Sequence, residues 1–445
     1  MSDANNTRVA VRALMTAVST TPVRPGKTHP LSAMDHLMGV HHLRMVYYYR
    51  SDASVEMEKL KESLSDMLSH YPVLTGRLRR AEGGNWEVKC SDAGVRFLEA
   101  TVDATLDEWL RSAHASEEKD LTHWEKMPED PYIWSPFHIK INEFEGGGIA
   151  IGLSCTHILS DPTCATLLVK AWSDVHRGST IAYPPFFHPP GLRGRDAPNT
   201  DTKSAKFYAS KSKAKPPAPV KMSTATFRFS DAMVKKHLSE IHAECPDATP
   251  FDMLAALFWS RVMHAKSPMH VETHSLSICI DFRKLMHAPL PHGYFGNALH
   301  FSGVSSTAAE MEEGGLGFVA GLIHRHVSGL EEEEYWSAIN WVESQKDEGG
   351  RFAPPFTMYG PELTCANMEH VFAYSAMFAK DVKPVHVAYH VGNVEGDGLI
   401  LVLPSPEEGL GRTVTVTLPV EQTAKLLNDE AILCLKPAVL FSGKA

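Results

Sequence analysis

A long segment rich in proline and lysine divides this chain near its middle. Between Gly178 and Lys221 the sequence has little apolar periodicity and contains the runs PPFFHPPG and SKSKAKPPAPVK. Such composition is typical of a long crossing linker, and we place the domain boundary there. The length of 445 residues also exceeds the roughly 250–300 residues at which a single core stops growing. We therefore predict an N-terminal domain over residues 1–190, a crossover linker over 191–224 and a C-terminal domain over 225–445.

Strand and helix patterns are mixed in both halves of the chain. Apolar and polar residues alternate over residues 137–141 and again over 149–153, with three glycines between them, which predicts a β-hairpin. Apolar residues recur at helical spacing over residues 55–70. Residues 399–403 and 413–418 are typical of strands. This mixture predicts an α/β fold class.

Composition excludes several classes of protein. The formal net charge of −10 argues against a nucleic-acid binder, which usually carries a basic field. No window approaches the roughly eighteen apolar residues of a transmembrane helix, and Arg8 and Arg12 interrupt any apolar core of a signal peptide. The seven cysteines are scattered without a CxxC pair, which indicates a reducing compartment. We expect the protein in the cytoplasm or on a cytosolic membrane surface.

The candidate for chemistry is His157, at the end of the second strand of the predicted hairpin. Asp161 and Pro162 follow it and suit the N-cap and first position of a helix whose apolar pattern runs on from Cys164. An imidazole at such a place could take a proton from an acceptor hydroxyl or amine that attacks a thioester. From spacing alone, a buried core histidine with a satisfied hydrogen bond remains the alternative.

Other site types find less support. The chain has no P-loop, no G-x-S-x-G elbow and no dinucleotide-binding glycine motif. The pairs His41-His42 and His386…His390 are ligands by type, but no acidic residue is spaced to complete a site with them. We predict no bound metal and no resident cofactor.

Several further motifs occur in a fixed order along nearly the whole chain. They are LSAMD at 31–35, LKESLSDMLSHYPVLTGRL at 60–78, HILSD at 157–161, IDFRK with Asp281 and Arg283, and GYFGN at 293–297. In these motifs the chain resembles the plant BAHD acyltransferases. The resemblance implies two chloramphenicol-acetyltransferase-like domains joined by a long crossover loop, with a channel between them. Acyl-CoA would enter this channel as co-substrate from one side and the acceptor from the other.

The resemblance also implies roles for individual residues. His157 would be the general base, and Asp161 would point away from the channel and pair with Arg283 in a structural role. The remaining motif residues would be structural too, namely Asp281, Tyr294, Phe295, Gly296 and Asn297.

The chain departs from the family pattern in two places. Pro162 replaces the glycine that usually follows the aspartate, and the C-terminal DFGWG motif, which shapes the coenzyme A side, is replaced by MFAKDV at Met377–Val382. Together with residues 34–50, 152–166 and 373–398, this departure resembles the Eceriferum/Glossy group of the family. That resemblance implies a role in cuticular wax formation. Such a protein helps the fatty acid elongase of the endoplasmic reticulum make very long acyl chains, by associating with the condensing enzyme, a 3-ketoacyl-CoA synthase.

Three hypotheses follow for the function. The first is a partner of the elongase condensing enzyme on the cytosolic face of the endoplasmic reticulum, and the loss of DFGWG favours it. The alternative is an acyl-CoA-dependent acyltransferase that acylates an oxygen or nitrogen of a small acceptor, favoured by the retained His157, Asp161 and Arg283. The third is a protein that only binds acyl-CoA or a fatty chain. Whether the chain is an enzyme stays open, and we expect it to be a monomer by itself.

Overall fold

The structure is a computed structural model that describes residues 7–24, 26–50, 55–187, 192, 194, 201–266, 273–441 and 443. In this part of the chain there are sixteen β-strands. They are Val9–Ala17 (β1), Thr28–Pro30 (β2), His42–Tyr49 (β3), Arg77–Arg80 (β4), Trp86–Lys89 (β5), Val95–Thr105 (β6), Phe137–Glu145 (β7), Ile149–Thr156 (β8), Met222–Phe229 (β9), Thr273–Asp281 (β10), Leu299–Thr307 (β11), Leu363–Asn367 (β12), His386–Gly392 (β13), Leu399–Pro404 (β14), Arg412–Pro419 (β15) and Ala438–Leu440 (β16).

The same residues contain twelve α-helices. They are Ala33–Leu37 (α1), Met57–Leu68 (α2), Leu106–Ser112 (α3), Ala115–Glu118 (α4), Pro162–His176 (α5), Lys203–Ser212 (α6), Asp231–Ile241 (α7), Pro250–Ala265 (α8), Ala308–Ser328 (α9), Glu332–Ser344 (α10), Val420–Leu426 (α11) and Glu430–Cys434 (α12). Among the described residues, no helix is both long and apolar enough to cross a membrane.

The strands form two large mixed sheets and one small sheet. The first large sheet has the strand order β1-β6-β7-β8-β3-β13, and the second has the order β11-β10-β12-β14-β15-β9-β16. The small sheet has the order β2-β5-β4. Parallel pairs occur at β6–β7 in the first sheet and at β10–β12–β14 in the second. The predicted α/β class is confirmed.

One strand from the second half of the chain completes the first sheet. β13 pairs antiparallel with β3, with His386 opposite Tyr48 and Gly392 opposite His42. A strand pattern is local, so it does not tell which sheet the strand will join. The first sheet therefore contains strands from both halves, while the residue limits given above for the two domains and the linker stay predictions.

The hairpin that leads to His157 has the predicted form. β7 and β8 pair antiparallel, with Phe137 opposite Cys155 and Ile141 opposite Ile151. Every residue of β8 is buried, because the strand lies between β7 and β3 inside the sheet. Such a central strand places the residue that follows it, His157, at a fixed position in the interior.

The predicted linker contains a helix, α6, which the sequence pattern did not indicate. Thr202 caps this helix by accepting a hydrogen bond from the backbone of Ala205. Tyr208 is fully buried and its hydroxyl accepts the backbone N–H of Phe301 at 3.1 Å. Lys211 is buried as well. The sequence pattern missed α6 because its buried face includes a lysine and a serine, which apolar periodicity does not count.

Candidate functional site

The backbone of His157 is held by both halves of the chain. Its N–H donates to the carbonyl of His41 at 3.0 Å, which continues the pairing of β8 with β3. Its carbonyl accepts the side-chain amide of Asn297 at 2.8 Å. These two bonds fix the residue at the point where the first sheet meets the loop that precedes β11.

The ring of His157 is fully buried, and one of its two nitrogens has a hydrogen-bond partner. Its Nε2 lies 3.2 Å from the hydroxyl of Tyr359, whereas Nδ1 has no hydrogen-bond partner among the described residues. Burial lowers the pKa of His157 to about 4, although hydrogen bonds near the ring oppose this shift. The imidazole is therefore neutral near pH 7, which is the form of a general base.

His41 positions the segment that carries Tyr359. The Nε2 of His41 accepts the backbone N–H of Met358 at 3.1 Å, so Nδ1 carries the proton and donates to the carbonyl of Gly392 at 3.1 Å. Burial lowers the pKa of His41 to about 3. Its ring lies edge-on to Tyr359 with the centroids 4.9 Å apart. His41 thus acts through its hydrogen bonds and holds Tyr359 over His157.

Asp161 caps α5 and forms a buried ion pair. Its Oδ1 accepts the backbone N–H of Cys164 at 3.0 Å. Its Oδ2 accepts the backbone N–H of Ala298 at 2.9 Å and lies 2.8 Å from Nη2 of Arg283. The cap and the ion pair expected from the sequence are both present, and both carboxylate oxygens are engaged by these partners.

Arg283 joins two carboxylates. Its Nη1 lies 2.5 Å from Oδ2 of Asp281, which also accepts the Thr163 hydroxyl at 2.6 Å and lies 3.1 Å from Nε2 of His370. Burial alone would raise the pKa of Asp281, but Arg283 and these hydrogen bonds outweigh it and hold that pKa below the usual range. Two carboxylates therefore flank one buried guanidinium.

The GYFGN motif forms the other side of this cluster. Asn297 donates its backbone N–H to Oδ1 of Asp35 at 2.8 Å and its side-chain amide to the same oxygen at 2.9 Å. Gly296 has a φ of 151°, and a Cβ at this position would lie 2.5 Å from the Tyr294 hydroxyl. Phe295 packs against Phe187, with the ring centroids 5.5 Å apart. The structure brings together all predicted site residues around α5, while their functional roles stay predictions.

Two cavities open beside this cluster. One of about 850 Å³ is lined by Asp35, Tyr294 and Phe295 together with Trp86 and Lys346. The other, of about 390 Å³, is lined by residues that include Thr163, Asp281, Arg283 and His370. His157 lines neither of these two cavities. The hydroxyl of Tyr359 occupies the position next to Nε2 of His157, at 3.2 Å.

The segment that replaces DFGWG is anchored by one aromatic ring. Phe378 is buried and packs edge-on against Trp172, with the centroids 5.0 Å apart. Lys380 and Asp381 are exposed, as their charge favours. The segment therefore reaches the surface immediately after a contact with α5.

The histidines considered as metal ligands have other partners. His386 Nδ1 lies 3.0 Å from Nη2 of Arg228, and His390 Nε2 lies 2.8 Å from a carboxylate oxygen of Glu118. Sequence reasoning missed Glu118, Tyr359 and the bond between Tyr359 and His157. A tyrosine far along the chain carries no local signal for such a contact.

Sequence comparisons with known proteins find relatives along nearly the whole chain. A family model described as "Transferase family" matches residues 11–432. A hydroxycinnamoyltransferase of Narcissus pseudonarcissus is 26% identical over 91% of this chain and 97% of its own length. The Arabidopsis thaliana proteins ECERIFERUM 26-like and ECERIFERUM 2 are 26% and 24% identical, and the alignments cover 93% and 94% of this chain and 93% and 96% of theirs.

Solved structures share the fold. Vinorine synthase superposes with a TM-score of 0.72 at 18% identity, over 96% of this chain and 98% of that one. TRI101 of F. sporotrichioides, complexed with coenzyme A and T-2, superposes with a TM-score of 0.73 at 15% identity, over 94% and 100% of the two chains. The overall fold of this chain is thus that of vinorine synthase and TRI101.

Proposed function

Because this chain belongs to the Transferase family of BAHD-type proteins, we propose that it promotes very-long-chain fatty acid elongation for cuticular wax, as a partner of the elongase condensing enzyme. The observation that carries the proposal is the closed state of His157. A general base must reach its substrate proton at about 2.6–3.2 Å. At Nε2 of His157 that position is taken by the hydroxyl of Tyr359, at 3.2 Å.

Two further observations support the partner role. The DFGWG motif, which shapes the coenzyme A side in the family, is replaced by a segment with Phe378 buried and Lys380 and Asp381 exposed. The full-length similarity to two proteins named ECERIFERUM agrees with the resemblance of the distinctive segments to that group. A partner of the condensing enzyme would act at the cytosolic face of the endoplasmic reticulum, and we place the protein there.

The experiment is co-expression with a 3-ketoacyl-CoA synthase in yeast, followed by measurement of fatty acid chain lengths. We expect the wild type and His157→Gln to lengthen the products equally, because a partner needs the fold and not the base. Circular dichroism and the melting temperature establish that the variant is folded. If folded His157→Gln loses the effect, the partner mechanism is wrong and chemistry at His157 is required. No lengthening with any condensing enzyme tested refutes the elongation role.

A second function, acyl-CoA-dependent transfer to an oxygen or nitrogen of a small acceptor, is favoured by one specific observation. The side-chain amide of Asn297 donates to the carbonyl of His157 at 2.8 Å and fixes its backbone. The buried ion pair of Asp161 and Arg283, with Oδ2 and Nη2 2.8 Å apart, is also retained. If Tyr359 moved aside, Nε2 of the neutral ring could take the proton of the acceptor as its oxygen or nitrogen attacked the thioester carbonyl of acyl-CoA. The C–S bond would then break, and the coenzyme A thiol would leave with that proton.

Binding of coenzyme A separates the two functions. We expect calorimetry on the purified protein to show weak binding of coenzyme A, because the segment at Met377–Val382 lacks the family motif. Tight binding with one coenzyme A per chain would instead rank the transferase first. Because two relatives are named hydroxycinnamoyltransferase, hydroxycinnamoyl-CoA thioesters are the acyl donors to test next.

A further inference from the structure

A cluster of two imidazoles and one carboxylate lies on the first sheet, outside the site described above. His123 and Glu125 belong to the segment that leads into β7, and His138 lies near the start of β7 itself. One ligand atom from each residue lies within 4.8 Å of the others. Glu125 approaches both rings, with Oε1 3.2 Å from Nε2 of His123 and Oε2 3.9 Å from Nε2 of His138.

The ring of His138 is the unusual member of this cluster. The residue is 1% exposed, and neither Nδ1 nor Nε2 has a hydrogen-bond partner among the described residues. A buried polar group without a partner costs about 1–3 kcal/mol, so such a ring in a central strand calls for a ligand. Burial also favours the neutral imidazole, which is the form that coordinates metals.

We propose that His123, Glu125 and His138 bind a divalent transition-metal ion of the zinc class. Two imidazoles and one carboxylate are ligands that zinc takes at about 2.0–2.2 Å, and three protein ligands leave a fourth position for water. Imidazole disfavours magnesium and calcium, which prefer oxygen ligands. The side chains of His123 and Glu125 are 33% and 45% exposed, so they can close on an ion while His138 stays fixed in β7.

The place of the cluster indicates what the ion would do. Trp124 lies between two of the ligands in sequence and stacks on His42, with the ring centroids 4.6 Å apart and an interplanar angle of 11°. His42 in turn pairs with Thr156, the residue before His157. An ion held by His123, Glu125 and His138 would therefore clamp the segment before β7 onto the sheet that positions His157.

The test uses the full chain after removal of metals by a chelator. We expect calorimetry with Zn²⁺ to show one ion per chain, with a higher melting temperature, and Co²⁺ to give the intense visible absorption of a tetrahedral site. His123→Gln and Glu125→Gln should each weaken Zn²⁺ binding by at least about 10-fold, because even loss of an outer partner of a ligand has an effect of that size. Both residues are partly exposed, so these variants fold even if a His138 variant does not.

The matched control is His237→Gln. It breaks another imidazole–carboxylate pair, in which Nδ1 of His237 lies 3.0 Å from Glu240, and it should leave Zn²⁺ affinity unchanged. Absence of stoichiometric binding overturns the proposal. Binding that both cluster variants leave unchanged overturns it as well.

Discussion

The hydroxyl of Tyr359 lies 3.2 Å from Nε2 of His157, and the two residues are 202 positions apart in the chain. Both side chains are fully buried. The contact joins the end of β8 to the segment before β12, and so to the second sheet. The state of the candidate base therefore depends on how the two halves of the chain pack.

Tyr359→Phe should lower the free energy of unfolding by about 1–3 kcal/mol, because it leaves the buried Nε2 of His157 without a partner. Tyr389→Phe is the matched control, since the buried hydroxyl of Tyr389 has no hydrogen-bond partner among the described residues. The free energy of unfolding of Tyr389→Phe should therefore stay close to that of the wild type. Denaturant unfolding of both variants gives the comparison, and equal losses would show that the bond between Tyr359 and His157 does not stabilise the fold.

Asp161→Ala should lower the free energy of unfolding by about 3–5 kcal/mol, because it breaks the buried ion pair with Arg283 and leaves the buried N–H groups of Cys164 and Ala298 without their acceptor. The loss should exceed that of His157→Ala. Glu408→Ala, which breaks an exposed pair with Lys383 at 3.2 Å, should cost no more than about 1 kcal/mol. Thermal and denaturant unfolding test the ranking. Similar small losses for Asp161→Ala and Glu408→Ala would contradict a structural role for the buried pair.

Gly296→Ala should destabilise the protein more than Gly146→Ala. Both glycines have a positive φ, of 151° and 78°, which disfavours any side chain. A Cβ at residue 296 would also lie 2.5 Å from the Tyr294 hydroxyl, whereas a Cβ at residue 146 meets nothing within 4 Å. The difference between the two melting temperatures measures the combined effect of this contact and of the more extreme φ at residue 296. If Gly296→Ala costs no more than Gly146→Ala, the motif tolerates the contact by moving.

Stability should fall as the pH drops below about 6.5, the ordinary pKa of histidine. Burial lowers the pKa of His41 and of His300 to about 3 and that of His157 to about 4. The unfolded chain therefore binds protons that the native state excludes. Each of these histidines should contribute about 1.4 kcal/mol of lost stability per pH unit between 6.5 and its folded value.

Denaturant unfolding from pH 7 to pH 5 measures this slope. His300→Gln should reduce the slope of the free energy of unfolding against pH by about 1.4 kcal/mol per pH unit, the effect of one proton. The control is His70→Gln, at an exposed position, which should keep the wild-type slope. A stability that does not change between pH 7 and pH 5 would show that the buried rings accept protons without unfolding.

Local features of this protein could be predicted from its sequence. These features are the hairpin before His157, the cap by Asp161 and the α/β class. They depend on residues close together in the chain, so the local alternation of apolar and polar residues and the capping residue are enough to predict them. The order of the motifs, from LSAMD to GYFGN, was enough to identify the family, and the family model that matches residues 11–432 confirms it.

Only the tertiary structure decided which partners distant residues find. The pairing of β13 with β3, the insertion of α6 with its buried Lys211, and the contact of Tyr359 with His157 each join residues that lie far apart in the chain. Periodicity reports which face of a strand or helix is apolar, but it does not report what covers that face. Whether His157 is open or closed follows from that packing, because one buried hydroxyl placed by the second half of the chain occupies its Nε2.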